Sequence, residues 1–145
     1  MISRDEYFMR EALKEAQKAF EYGEVPIGAI IVANNKIISK AHNEVERLKD
    51  PTAHAEMIAI ATALEFFNNK YLDHCTLYVT IEPCPMCAGA LSLTRISKII
   101  YAASDIKYGY TLFHPSILHK KTEVKNGILK DDAIKLMKSF FENKR

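Results

Sequence analysis

Two short segments of the sequence carry residues whose types and spacing suit the binding of a metal ion. His54-Ala-Glu56 is predicted at the start of one helix, and Cys84-Pro-Met-Cys87, directly after Pro83, at the start of another. Residues i and i+3 share a helix face, so Cys84 and Cys87 can bind one ion together. Side chains in a first helical turn tilt toward the N-terminus, so His54 and Glu56 can both reach a point just beyond the helix end. We expect the two helix ends to converge there, with dipoles that favour thiolates.

The types of these residues indicate zinc and a hydrolytic reaction. Two thiolates and one imidazole suit zinc, and three protein ligands leave a fourth position for water, which is typical of a catalytic site. A carboxylate beside such a water can take its proton and return it to the substrate. The sequence therefore predicts one zinc ion per chain, bound by His54, Cys84 and Cys87, with Glu56 as the general acid and base.

Each part of this set has a simpler interpretation when it is taken alone. The Cys84/Cys87 pair is also typical of a redox site or of half a structural zinc site, and Glu56 of an acid favoured by the helix dipole. The four residues in this order and spacing favour a catalytic zinc site. Cys75 is interpreted as a small buried hydrophobe. If Cys75 or His74 filled the fourth position, the site would be closed and structural.

Length and composition are those of a soluble enzyme-sized chain. The 145 residues fit one domain, 1–145, with 48% hydrophobic and 26% charged residues. An odd, clustered set of three cysteines without a signal peptide argues against a disulfide framework and predicts a cytoplasmic protein. No apolar run is long enough for a membrane span.

The net charge of +2 is spread unevenly along the chain. Residues 1–72 hold nine basic and eleven acidic residues, whereas residues 73–145 hold eleven basic and seven acidic residues. The two halves thus carry net charges of −2 and +4. The basic second half is compatible with a polyanionic partner and equally with an ordinary solvated surface.

The apolar pattern predicts alternating helices and strands around the proposed site. The first three predicted helices are Asp5–Tyr22, Ala53–Phe67 and Pro83–Thr94, and Ser3 and Thr52 are the predicted caps of the first two. A last helix is predicted from about Asp131, and its apolar side carries Ile134, Met137, Phe140 and Phe141. The predicted strands are Val25–Val32, Lys36–Ala41, Leu77–Ile81 and Lys98–Ala102, with Glu123–Lys125 as a short edge strand. The first two strands form a hairpin, and the crossover after the third makes it parallel to the fourth. This order predicts an α/β protein, a three-layer α/β/α sandwich around a mixed sheet.

The motifs resemble a known enzyme family. H-x-E followed by P-C-x-x-C is similar to the signature of zinc-dependent nucleobase deaminases. The resemblance to the bacterial tRNA-specific adenosine deaminases rests on four segments: Glu24–Ala29, Asp50–Glu56, Leu77–Ala90 and the Phe140-Phe141 ending. It implies a cytidine-deaminase-like fold and a homodimer. It also implies hydrolytic conversion of the wobble adenosine to inosine in the anticodon loop of an arginine tRNA.

Three further residues carry over from this family by position. Asn43 matches an asparagine that hydrogen-bonds the target base, Ile27 an apolar residue that lines the base pocket, and Asp105 an acid that meets the sugar–phosphate backbone. Where the family usually has small residues with Gly-Ser, this chain has Tyr108–Pro115 and is shorter.

Two other functions stay open at this point. One is a free-base deaminase such as guanine deaminase, which is similar around Pro83–Cys87, although the Phe140–Arg145 tail and the strand Val25–Gly28 favour the tRNA enzyme. The other is a zinc-stabilised RNA-binding module without activity. Glu56 argues against that module, because a structural site needs four ligands and no general base.

Overall fold

A five-stranded mixed sheet forms the centre of the computed structural model, which describes residues 2–144. The strands are β1 (Gly28–Ala33), β2 (Lys36–His42), β3 (Thr76–Ile81), β4 (Lys98–Ala103) and β5 (Glu123–Asn126), in the order β2-β1-β3-β4-β5. β1 pairs antiparallel with β2 and β3, whereas β3 with β4 and β4 with β5 are parallel. The predicted hairpin, parallel pair and edge strand are all present. Arg145, the end of the tail named above, lies outside the described residues.

Helices cover both faces of this sheet. They are α1 (Arg4–Glu21), α2 (Val45–Leu48), α3 (Ala55–Phe67), α4 (Pro85–Thr94), α5 (Tyr110–Phe113) and α6 (Lys130–Asn143). α1 and α6 pack on one face, and α3, with α4 beside it, packs on the other. The predicted three-layer α/β/α sandwich is therefore confirmed. None of the helices between residues 2 and 144 has the length and apolarity that a membrane crossing needs.

Alternating side chains of the inner strands build two separate cores. In β1, Ile31 faces the α3 side of the sheet, whereas Ile30 faces α1. Ile99 and Ile100 of β4 divide in the same way, and all four are fully buried. A strand covered on both faces must be apolar at every position, which explains the almost continuous apolar run of β1.

The start of α3 differs from its prediction in the identity of the cap. His54, not Thr52, is the N-cap residue, and the Thr52 hydroxyl donates to Asp50 Oδ1 at 2.7 Å. The Ala55 amide at the start of the helix instead donates to Asn43 Oδ1 at 2.7 Å. Thr52 lies two residues before the N-cap position, and a side chain twelve positions from Ala55 supplies the acceptor instead.

The start of α4 is also shifted from its prediction. Pro85, not Pro83, is the first residue of the helix, and Cys84 is its N-cap. The chain stays extended beside β4 as far as Glu82, whose amide donates to the Ala103 carbonyl at 2.8 Å. At α1 the prediction is confirmed, because the Ser3 hydroxyl accepts from the Glu6 amide at 3.1 Å.

Two further expectations are corrected by the structure, and two short helices appear that were not expected. β1 begins at Gly28 and not at Val25, because Pro26 has no amide and the Ile27 amide turns back to the Val25 carbonyl at 2.8 Å. α2 and α5 were not predicted, since four residues form only one helical turn and show no periodicity. In α6 the predicted apolar side is divided: Phe140 is buried, whereas Ile134 and Phe141 are 42% and 53% exposed.

We predict that Gly28→Ala destabilises the fold by more than a surface change would. A Cβ at Gly28 would lie 2.0 Å from the Ala12 carbonyl oxygen, so α1 could no longer pack this closely on β1. Overpacking of this kind costs roughly 1–3 kcal/mol. The midpoint of urea unfolding, measured at a fixed zinc concentration, should fall. Gly89→Ala is the matched control, because its Cβ would be 3.7 Å from the nearest atom and lies within α4. Equal midpoints for the two variants would contradict this account.

Candidate metal centre and active site

The predicted metal ligands meet where two helices begin at one edge of the sheet. His54 is the N-cap residue of α3, and Cys84 is the N-cap residue of α4, with Cys87 in the first turn of that helix. Both N-cap residues have extended backbones, so their side chains point beyond the helix ends. Two positive helix ends thus face the same small volume, which stabilises thiolates there.

The spacing of the ligand atoms fits a tetrahedral zinc ion. His54 Nδ1 lies 3.6 Å from Cys84 Sγ and 3.6 Å from Cys87 Sγ, and the three atoms lie within 4.8 Å of one another. Zinc bonds of about 2.3 Å to sulfur and about 2.0 Å to nitrogen, at tetrahedral angles, place the two atom types about 3.5 Å apart, close to the spacing observed. This is the only group of its kind found in residues 2–144. Cys75 packs in the core instead, and neither it nor His74 belongs to the group.

The two thiols are unequal before a metal binds. A hydrogen bond with Cys87 lowers the pKa of Cys84 to about 4, and the neighbouring His54 imidazole adds to this effect. The same bond, together with burial, raises the pKa of Cys87. Hydrogen bonding to Cys84 raises the pKa of His54. This environment favours a thiolate at Cys84, and the remaining thiol proton of the pair must leave when both sulfurs bind a metal ion.

Glu56 lies beside the metal ligands without being one of them. It is the second residue of α3, only 3% exposed, and it stands outside the ligand group. Burial raises the pKa of its carboxyl to about 7. A carboxyl group whose pKa lies near neutrality can both accept and release a proton during a reaction, which is what a general acid and base must do.

A cleft of about 1250 Å³ extends from this site to α6. Six of the seven residues singled out in the sequence line it: Ile27, Asn43, His54, Glu56, Cys84 and Asp105. The seventh, Cys87, is fully buried. The structure therefore places the residues matched to the family by position (Ile27, Asn43 and Asp105) in the same cleft as those derived from motif spacing (His54, Glu56 and Cys84).

Asn43 has a contact that its sequence position did not suggest. The side chain is buried, and its Oδ1 accepts the Ala55 amide hydrogen at the start of α3. Its oxygen is therefore occupied by the protein, which leaves the amide NH₂ group as the part that can donate to a molecule in the cleft.

Sequence reasoning missed two buried carboxylates that line the cleft. Glu24 is 2% exposed and accepts the Glu46 and Arg47 amides at 3.0 and 2.8 Å, which holds α2 in place. Glu82 is 4% exposed and accepts amides from the segment that follows β4. Their position in the sequence could have identified them. An acid directly beside a strand that is buried on both faces is itself buried, and it then needs hydrogen-bond donors to offset the loss of water. Ile134 and Phe141 of α6 also line the cleft.

Comparison with known proteins agrees with this site. The family model of the cytidine and deoxycytidylate deaminase zinc-binding region matches residues 2–103. A tRNA-specific adenosine deaminase of Aquifex aeolicus is 59% identical over 117 residues, which cover 81% of this chain and 78% of that protein. The tRNA-specific adenosine deaminase of Bacillus subtilis is 42% identical over 149 positions, which cover 99% of this chain and 92% of that protein.

Solved structures have the same fold. One, from work on A-to-I editing by tRNA:A34 deaminases, superimposes with a TM-score of 0.84 at 38% identity and covers 90% of this chain and 98% of that one. A guanine deaminase of Bacillus subtilis is 40% identical with a TM-score of 0.65, but covers only 68% of this chain and 64% of that one. The tRNA deaminases thus match over more of the chain. This chain belongs to the cytidine and deoxycytidylate deaminase family and, within it, to the tRNA-specific adenosine deaminases.

Proposed function

We infer that this protein converts the wobble adenosine in the anticodon loop of an arginine tRNA to inosine by deamination. The observation that carries this inference is a three-ligand metal site, with a buried carboxyl group beside it, at one end of a cleft of about 1250 Å³. Pockets for a single small molecule are typically about 300–1000 Å³. The cleft has room for a nucleobase and its neighbours. The identity to tRNA-specific adenosine deaminases supports the same substrate.

The chemistry is divided between the metal ion and Glu56. His54 Nδ1 and the sulfurs of Cys84 and Cys87 would hold zinc, which when bound supplies the Lewis acidity that makes water a nucleophile near neutral pH. The Glu56 carboxylate accepts a proton from the attacking water. It then delivers a proton to the exocyclic amino group, which leaves as ammonia. Burial raises the pKa of Glu56 above that of an ordinary carboxyl group, which suits a residue that must both accept and return a proton.

Three other residues of the cleft would hold the nucleotide. The Asn43 NH₂ group donates to a ring nitrogen of the base, and Ile27 packs against the base from the side of β1. Asp105 Oδ1 already accepts the Lys107 and Tyr108 amides at 3.0 Å each, so Oδ2 remains for a ribose hydroxyl. The base must leave its stack to enter, and an anticodon loop offers an unstacked base at low cost.

Cations along the cleft suit a phosphate backbone. Lys107 lies on one wall, and Lys138 of α6 and Lys144, the residue that follows α6, lie on another. Because such contacts release bound counterions, affinity for RNA should fall as the salt concentration rises. A free base carries no phosphate and would not show this dependence.

We also propose that the protein is a cytoplasmic homodimer. Phe66 on α3 and Leu93 on α4 are 65% and 79% exposed on the same outer layer, where a second copy would cover them. Sedimentation velocity should give twice the mass of one chain. Leu93→Glu should shift the protein toward monomer, whereas Tyr7→Glu, on the opposite layer, should not. A monomeric unmodified chain at micromolar concentration would contradict the dimer.

Three variants separate metal binding from proton transfer. We predict that Glu56→Gln keeps about one zinc per chain and loses turnover by roughly 10²-fold or more, because only the proton carrier is removed. Cys87→Ala should lose both zinc and turnover, since one of three ligands is gone. Cys75→Ala is the control and should keep both, because Cys75 lies in the core. Metal analysis and single-turnover rates give the two readouts. Loss of zinc in Glu56→Gln would make Glu56 a structural residue, and full zinc in Cys87→Ala would remove Cys87 from the ligand set.

The substrate is tested on an arginine-tRNA anticodon stem-loop with adenosine at the wobble position. We expect inosine to form there, with no reaction on the same stem-loop carrying guanosine, and weaker binding at higher salt. Free adenosine and free guanine are assayed in parallel. Efficient deamination of guanine without reaction on the stem-loop would reject the proposed substrate in favour of a free-base deaminase.

A further inference from the structure

The Glu82 carboxylate lies under one wall of the cleft. Glu82 follows β3 directly, and its side chain is 4% exposed. The wall above it is the segment 104–113, which follows β4 and includes α5. Ser104 to Tyr108 and Phe113 of this segment line the cleft together with the metal ligands. In the order of the chain, Glu82 therefore stands between the strand that supports the site and the helix that supplies both cysteines.

Both oxygens of Glu82 are used to hold this segment. Oε1 accepts the Asp105 amide at 3.2 Å. Oε2 accepts the Thr111 amide at 3.1 Å and the Thr111 hydroxyl at 2.7 Å. Within residues 2–144 no Lys or Arg forms an ion pair with Glu82, so these donors are what compensates the buried charge. The carboxylate thus joins two points of the wall that are six residues apart.

Gly109 allows the wall to lie directly on this carboxylate. A Cβ at Gly109 would be 2.4 Å from Glu82 Cδ, which no side chain could tolerate without a shift. The next residue is fixed as well, because the Tyr110 amide donates to the Pro83 carbonyl at 2.9 Å. The segment is therefore attached to the Glu82 side chain and the Pro83 backbone at three residues, Asp105, Tyr110 and Thr111.

The fastened segment presents groups that suit RNA. Tyr108 and Phe113 are 65% and 63% exposed, and both line the cleft beside Lys107. Aromatic rings stack with unpaired bases, and a cation binds phosphate. If the segment were mobile, RNA binding would have to order it. The loss of conformational entropy would then make the binding free energy less favourable.

We propose that Glu82 is a positioning residue for RNA binding: it holds the 105–111 segment so that the wall is formed before the anticodon loop arrives. The proposal rests on the proposed function. Glu82 acts through the segment and not on the reacting atoms, so its loss should weaken substrate binding while the chemical step continues. Zinc binding should also be unaffected, since the hydrogen bonds of the Glu82 side chain go to Asp105 and Thr111 and to none of the three ligands.

The experiment compares Glu82→Gln, Thr111→Val and their combination with the control Thr122→Val. Glu82→Gln places an NH₂ group against N–H donors, and Thr111→Val removes one donor from an exposed residue, so it should fold normally. Thr122 donates its hydroxyl to the Ile96 carbonyl at 2.7 Å, near the opposite ends of β4 and β5, so it matches the loss of a hydroxyl hydrogen bond away from the cleft. KM and kcat on the stem-loop, zinc content and amide hydrogen exchange of residues 104–113 are measured for each protein.

We expect KM to rise about tenfold in Glu82→Gln, which corresponds to about 1.4 kcal/mol, with kcat within about twofold and zinc unchanged. Exchange in 104–113 should become faster in both single variants and not in Thr122→Val. The double variant should be no worse than Glu82→Gln, because the hydrogen bond that Thr111→Val removes is one of those made by Glu82.

Several results would overturn the proposal. Unchanged KM and unchanged exchange in Glu82→Gln would show that the wall does not depend on Glu82. A fall in kcat together with zinc loss would place Glu82 in the architecture of the metal site. If the unmodified chain does not deaminate the stem-loop, the proposed function fails and the RNA role of this wall fails with it. If the unmodified chain deaminates the stem-loop and the variants have the same KM and kcat, only the role of Glu82 is rejected and the proposed function stands.

Discussion

The spacing of three ligand atoms is the constraint on which the rest of the structure depends. His54 and Cys84 begin two different helices, yet His54 Nδ1 and Cys84 Sγ must stay 3.6 Å apart. The sheet provides this, because β1 lies next to β3 in antiparallel register. α3 packs on β1 and β2, whereas α4 continues directly from β3, so both helices start at one edge. The two buried cores fix the position of that edge, so the backbone places three donor atoms around one point.

Buried carboxylates turn the connections around this edge into fixed walls. Glu24 accepts two amides from α2, and Glu82 accepts two amides and a hydroxyl from the segment after β4. Burying a charge is costly, and several charge-assisted hydrogen bonds are what offsets the cost. A short helix of four residues has little stability of its own, so an external acceptor decides whether it forms. The walls of the cleft are therefore a product of side chains that belong to other elements.

The sequence predicted what depends on local spacing and missed what depends on distant partners. The meeting of His54, Cys84 and Cys87 beside Glu56 was predictable, because positions at a helix start fix the directions of side chains. The layers followed from apolar runs that only a sheet covered on both faces allows. The predicted cap of α3 was wrong. Thr52 is the better cap by local sequence, whereas Asn43 comes near Ala55 only in the folded chain. The α5 segment was not predictable, since one turn has no period and its acceptor, Glu82, comes from another part of the chain.

In the proposed mode of base binding Asn43 has two tasks, and this sets a limit on how the enzyme can change. Its oxygen accepts the first amide hydrogen of the helix that carries Glu56, and its NH₂ group is the donor left for a base. A replacement chosen to accept a different base must still supply an acceptor to Ala55, or the helix start that carries His54 and Glu56 loses its support. Few side chains offer both an acceptor and a donor at this length. Divergence toward new bases should therefore proceed through Ile27 and the α6 side of the cleft, with this position left as it is.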